Sequence, residues 1–186
     1  MFPELKTSQC ILRKVKLDDA EAIFRNWASN HEITRWLSWK PHTSIEQTKL
    51  KVNEWMHEDE TQSIHWIVTM NGSDEPIGCV SVSMGKSSPG IFGYGHCLCK
   101  RVWDHGIATE CMRAVLHEMF INRNMIGCYT NVDRPNIGSI RVMEKNGLSV
   151  SRVLQYKGLD NLTGEKADVL VFATIRERYI RMNGEI

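Results

Sequence analysis

Residues Arg101–Glu110 read RVWDHGIATE, and Phe92–Cys99 just before them read FGYGHCLC. The earlier stretch has the grammar of a strand, and Thr109 to Phe120 that of a helix. The chain passes from one to the other through Gly106-Ile107-Ala108, a turn lean in side chains. One reason for such a turn is packing, since Gly and Ala let a helix start sit close to a sheet. The other is contact with an anion. The first N–H groups of a helix have no intrahelical partner and carry partial positive charge, so a small-residue turn exposing several of them cradles a diphosphate without any cationic side chain. No GxxxxGK[ST] is present, and GYGHCL follows GxGxxG only to its second glycine, inside a strand.

Working outward, residues 9–16 (QCILRKVK) read as a first strand. Asp18 or Asp19 caps a helix to about Trp27, with Ala20, Ile23, Phe24 and Trp27 on one face. Residues 29–43 are irregular. Ser44 and Gln47 fit a capping box opening a helix to about His57. IHWIVTM (64–70) and IGCVSVSM (77–84), joined by NGSDEP, form an antiparallel hairpin. KSSPG (86–90) is a further turn. After the central helix come a strand over Gly127–Val132, a helix over Asn136–Asn146 stopped by Gly147, and strands near 149–157 and 167–175. The order predicts three meander strands followed by one right-handed βαβ crossover. The expected fold is α+β, a mixed, mostly antiparallel sheet with helices on both faces.

The 186 residues are 42% hydrophobic and 24% charged, which suits a single domain over 1–186. A net charge of +1, with no run of Lys or Arg, makes no electrostatic case for nucleic acid or an anionic membrane. The N-terminal residues lack the apolar core of a signal peptide, and nowhere do 18 consecutive apolar residues occur; a cytoplasmic protein is expected. The six cysteines are expected to be buried reduced thiols. Cys97 and Cys99, two apart in a strand, should face the same way near His96 and His105. Without a second matching pair they are not expected to bind metal.

Two segments carry a resemblance. WDHGIATE is similar to the acetyl-CoA motif of the GNAT superfamily of N-acetyltransferases, written Q/R-x-x-G-x-G/A, and more closely to the W-G-K-G-Y-A-T-E of its RimJ/RimL-like branch. NIGSIRVMEKNGL (136–148) resembles the branch's N-x-x-S-x-R-V-x-E-K-x-G-F. The two stand in family order, separated by a helix and a strand. The resemblance implies a GNAT-like sheet whose βαβ crossover forms the CoA site, and acetyl transfer from acetyl-CoA to an amine. It implies that amides across Asp104, His105, Gly106, Ile107, Ala108 and Thr109 bind the pyrophosphate, with the His105 ring a candidate for a further phosphate contact. The strand around Leu98 would pair with the pantetheine arm and offer an N–H to the thioester carbonyl. Asn136 matches the cofactor-contacting asparagine, and equally suits a helix cap. Ser139, one turn on, is the expected proton or hydrogen-bond donor to the departing thiolate.

The base is less determined. The branch often carries Glu in a strand segment E-I-G-Y, and here the glutamate position is Gly93 and the tyrosine position His96. Either His96 has taken over, another residue serves, or the amine arrives neutral; a strand histidine is as readily structural. Trp36, Trp39, His42 and Tyr156 are candidates to line the acceptor groove, although aromatics there suit a core equally. The acceptor is expected to be a small-molecule or peptide amine, among them a protein N-terminus or an amino sugar. The alternative is a non-catalytic acyl-CoA-binding or sensor module. Dimers are common among such enzymes, so a homodimer is compatible with the chain, but no oligomerisation signal is readable.

Overall fold

The computed structural model describes residues 3–85 and 88–184. Its strands are β1 Leu5–Lys6, β2 Cys10–Lys14, β3 Ser63–Met70, β4 Pro76–Met84, β5 Ile91–Leu98, β6 Gly127–Asp133, β7 Ser149–Leu159 and β8 Lys166–Ile175. They form one eight-stranded sheet in the order β1-β2-β3-β4-β5-β6-β8-β7. All neighbours are antiparallel except β5 and β6, which are parallel and joined through α3 (Ile107–His117). The other helices are α1 Ala20–Ile23, α2 Ile45–His57, α4 Ile137–Lys145 and α5 Arg176–Asn183.

Strand alternation divides the apolar side chains between two layers. In β3, Ile64, Trp66 and Val68 join the cluster that also holds Ile107, Cys111, Met112, Val115 and Leu116 of α3. Ile67, pointing the other way, joins Ala20, Ile23 and Trp27 beside α1 and Val52 of α2. The sheet is therefore covered on both faces, and the mixed α+β architecture agrees with the sequence.

The differences lie at element ends. The expected helix to Trp27 is a 3-10 turn (Leu17–Asp19), α1, and a π turn (Phe24–Ala28). Asp19 stands at the N-cap of α1 but makes no side-chain cap bond there. Its carboxylate instead reaches back to accept the Lys16 N–H at 2.7 Å and takes two bonds from the buried Arg13 guanidinium, at 2.9 and 2.7 Å. At α2, Ser44 Oγ accepts the Gln47 N–H at 3.4 Å, but Gln47 Oε1 reaches back to Thr43 N rather than Ser44 N, shifting half the box by one residue. β1 and α5 have no counterpart in the sequence reading. β1 is only two residues long, and α5 is anchored mainly by Tyr179, whose ring packs 5.3 Å from that of Phe120. Of the turn expected over KSSPG, the first two residues lie outside the described residues.

Candidate active site

The sheet opens where its one parallel pair ends. β5 and β6 are in register over only three pairs, Ile91↔Gly127, Phe92↔Cys128 and Gly93↔Tyr129. Past that point β5 stays with β4 as far as Gly78↔Leu98, and β6 stays with β8 as far as Asp133↔Val169. The two strands diverge and leave a wedge-shaped gap. The Cys99 N–H donates to Ile77 O at 2.7 Å, which sets the phase of the β4–β5 ladder: main-chain groups of Cys97 and Cys99 face β4, and those of His96 and Leu98 face the gap. Trp103 Nε1–H closes off Leu98 O at 2.8 Å. The N–H groups of His96 and Leu98 point into the space that β6 has left.

The turn that follows is built from two left-handed residues, Asp104 (φ 62°) and Gly106 (φ 80°). Gly106 occupies the N-cap of α3, with no side-chain cap, and the first helical bond runs from Glu110 N–H to Gly106 O at 3.0 Å. The amides of Ile107, Ala108 and Thr109 precede that bond and are the free donors of the helix start. A Cβ on Gly106 would meet nothing within 4 Å. The glycine serves the left-handed backbone, not a tight helix–sheet contact, which removes the packing reading at this residue. The buried Ile107 side chain ties the helix start to the core, and Gln9 Nε2–H bridges His105 O and Glu110 to brace the loop.

Gap, turn and the start of α4 border one cavity of about 540 Å³. Leu98, Asp104, Gly106, Ile107, Ala108, Thr109, Asn136, Ser139, His96 and Trp36 all line it. Asn136 caps α4, its Oδ1 accepting the Ser139 N–H at 3.2 Å, and also borders the cavity. His105 does not line it. That ring is tied back to Trp103 O at 2.7 Å, and only the backbone of residue 105 belongs to the turn.

His96 has the facing of Phe92, Tyr94 and Leu98, toward α3, and its ring lies 5.7 Å from that of Tyr94. Burial drives its pKa down to about 4, so the imidazole is neutral at pH 7. Gly93 faces the opposite side, where a Cβ would come within 2.7 Å of Ser83 Oγ and 3.2 Å of the Tyr129 ring. The space an acidic side chain would need at this position is already filled.

Of the four aromatic candidates for the acceptor groove, Trp36 alone borders the cavity, with the Arg35 guanidinium 4.6 Å over its ring. Trp39 packs against the α1–α2 cluster and lies 5.1 Å from His42. His42 Nδ1 bonds Thr48 Oγ1 at 2.8 Å, and burial lowers its pKa. Tyr156 is 70% exposed on a bulge of the edge strand β7, away from the cavity. These three are drawn off by helix packing and by sheet order, neither of which is a local property.

The loop carrying Trp36 is strapped to the β7–β8 turn. Asn161 Nδ2–H donates to Thr34 O, Leu37 O and Trp39 O at 3.1, 2.7 and 3.2 Å, and Asn161 N–H to Arg35 O at 2.9 Å. Arg35 adds two bonds to Asp160 Oδ2, at 2.9 and 2.7 Å. That guanidinium holds the Asp160 carboxyl well below the usual carboxylate range, with the amides of Leu162 and Thr163 assisting.

Four charged wall residues were not foreseen: Glu32, Arg35, Arg141 and Lys145. The last two carried a signal, being four apart on one helical face. Cys97 and Cys99 do not face together: β5 ends at Leu98, and they fall in different core clusters. Among the described residues no group of three His, Cys, Asp or Glu is placed to hold a metal, and no helix is long and apolar enough to cross a membrane.

The family model of the acetyltransferase (GNAT) domain matches residues 9–149. The uncharacterized N-acetyltransferase p20 of Bacillus licheniformis is 25% identical over 178 residues, covering 94% of this chain and 97% of p20. The fold is similar to that of RimL, a ribosomal L7/L12 alpha-N-protein acetyltransferase solved with coenzyme A (TM-score 0.82, 17% identity, 93% of this chain and 98% of that one). It is also similar to spermidine N-acetyltransferase from Vibrio cholerae, solved with CoA and spermine (TM-score 0.80, 18% identity, 94% and 99%).

Proposed function

The chain belongs to the acetyltransferase (GNAT) family, and on that premise we propose that it transfers acetyl from acetyl-CoA to a primary amine by direct attack on the thioester. One observation carries the reading: the unpaired amides of the diverging strand and those of the left-handed turn open on the same cavity. The amides of residues 104–109 receive the pyrophosphate, where partial positive charge and absent side chains favour a doubly charged linker. The N–H groups of His96 and Leu98 pair with the pantetheine arm, and one of them faces the thioester carbonyl. Bound there, acetyl-CoA supplies an activated acyl group. An N–H held rigidly at that oxygen stabilises the negative charge that develops on attack. Ser139 gives its hydroxyl hydrogen bond to the departing sulfur.

His96, with a pKa near 4 and facing α3, is poorly matched to accept a proton at neutral pH. The amine therefore enters in its neutral form, and the ammonium nitrogen formed on attack gives up one proton to solvent, leaving the amide N–H. RimL and the spermidine enzyme are named for acceptors of different kinds, a protein N-terminus and a polyamine, and the acceptor here belongs to the same broad class of amines.

The test is release of free thiol from acetyl-CoA with the purified protein and a panel of peptide N-termini, polyamines and amino sugars. Turnover with at least one amine is expected, and Ser139→Ala should lower kcat by about tenfold while CoA affinity stays within about twofold. Binding of acetyl-CoA without thiol release on any amine would make the protein a cofactor-binding module. Failure to bind acetyl-CoA at millimolar concentration would remove the reading altogether.

A further inference from the structure

The amides of the turn suffice for a diphosphate, yet α4 brings two cations to the same cavity. Arg141 and Lys145 lie one helical turn apart, both line the cavity and both are exposed. Among the described residues neither has an ion-pair or hydrogen-bond partner. Like charges at this spacing repel, so the pair weakens its own helix unless an anion sits between them. The acid and base on the opposite wall are already committed: Glu32 holds Lys100 at 2.8 Å, and Arg35 holds Asp160 at 2.7 Å. Among the described residues, Asp104 at the turn is the one other charged group lining the space.

Their position narrows the anion. Asn146 Nδ2–H donates to Thr109 O at 3.4 Å, tying the end of α4 to the first turn of α3. The cations thus stand beside the amide cradle. Ser139 lies on the same helix, six residues and roughly 9 Å of helical rise before Lys145, with Arg141 between them. A nucleotide thiol laid with its sulfur near Ser139 and its diphosphate on the amides of residues 104–109 has one anionic group left, the monoester phosphate on its ribose. That group carries nearly two charges at neutral pH and suits cationic side chains better than amide dipoles alone.

We infer that Arg141 and Lys145 bind the 3′-phosphate of coenzyme A and make the site selective for CoA over its dephospho form; the inference rests on the cofactor reading given above. The test is titration of the full-length protein with CoA and with 3′-dephospho-CoA by calorimetry, for the native chain and for Arg141→Gln, Lys145→Gln and the double variant. The native protein is expected to prefer CoA by about tenfold or more, a preference that shrinks as salt is raised. The double variant should bind the two ligands within about twofold of each other, with its affinity for dephospho-CoA unchanged. Thermal unfolding of each variant without ligand checks the fold, which exposed side chains should leave intact. Equal native affinities overturn the inference, as do variants that weaken both ligands alike, since the cations would then grip the diphosphate. A native protein that binds neither nucleotide overturns the cofactor reading first and this inference with it.

Discussion

At Gly106 the backbone itself is the functional group. Its φ of 80° is open to glycine and strained for a residue with a branched Cβ, by about 1–2 kcal/mol. A valine there either straightens the turn, rotating the amides of Ile107 to Thr109 away, or projects its methyls into the space the ligand needs. Gly106→Val is expected to weaken acetyl-CoA binding at least tenfold by calorimetry and to lower stability by about that strain in urea unfolding; unchanged affinity would place the cofactor elsewhere. His96 gives a second outcome at this scale. Burial disfavours its charged form, so its folded pKa of about 4 lies below the ordinary histidine value. As pH falls, the unfolded chain takes up this proton first. Its contribution to stability is whole above about pH 6.5 and fades as pH drops through 4. NMR titration of the His96 ring should give a midpoint near 4, and a midpoint near 6.5 would show the ring to be in water. On the proposed function, kcat/KM rises with pH along the acceptor amine's own titration and shows no limb near neutrality from His96.

Among the elements, the loop between α1 and α2 depends most on a remote partner. It has no regular structure of its own, and Asn161 stands in for a strand by donating to its carbonyls across a sequence separation of more than a hundred residues. Asn161→Ala deletes three side-chain bonds to carbonyls of this loop. The expected loss is about 1–3 kcal/mol of stability in denaturant. Because the loop carries Arg35 and Trp36 to the cavity wall, the acceptor KM should rise several-fold while acetyl-CoA affinity is retained. A rise in both together would assign the strap to general stability alone. Lowering pH should act on the same strap, since the Asp160 carboxyl is held low by Arg35 and its contribution is lost only in strong acid.

For the whole molecule, the cofactor is the one ligand that would touch β5, α3 and α4 together, bridging segments far apart in the chain. Saturation at about a hundred times Kd stabilises a folded protein by about 2.7 kcal/mol. For a chain of this size that corresponds to a rise in Tm of roughly 5–10 °C. Differential scanning fluorimetry with acetyl-CoA should show it. On the inference for Arg141 and Lys145, 3′-dephospho-CoA at the same concentration should give a smaller rise, and the double variant should respond equally to both.

The amino-acid sequence determined the parts of this protein that rest on neighbours along the chain. The period of two in IHWIVTM, the cap at Ser44 and the small-residue turn at Gly106 depend on contacts within a few residues, and each was legible as local structure. The paired motifs around Gly106 and Asn136 carried the family and most of the cavity wall. Tertiary structure decided what depends on facing and register. It parted β5 from β6 after Gly93, sent Trp39 and His42 into a helix cluster and Tyr156 to an edge, filled the space beside Gly93 with Tyr129, and brought Asn161 under Arg35. Such outcomes are set by which face of a strand is covered and by which distant segment covers it. Short-range propensity carries no record of that choice, because burial is a property of the packed chain and not of the residue.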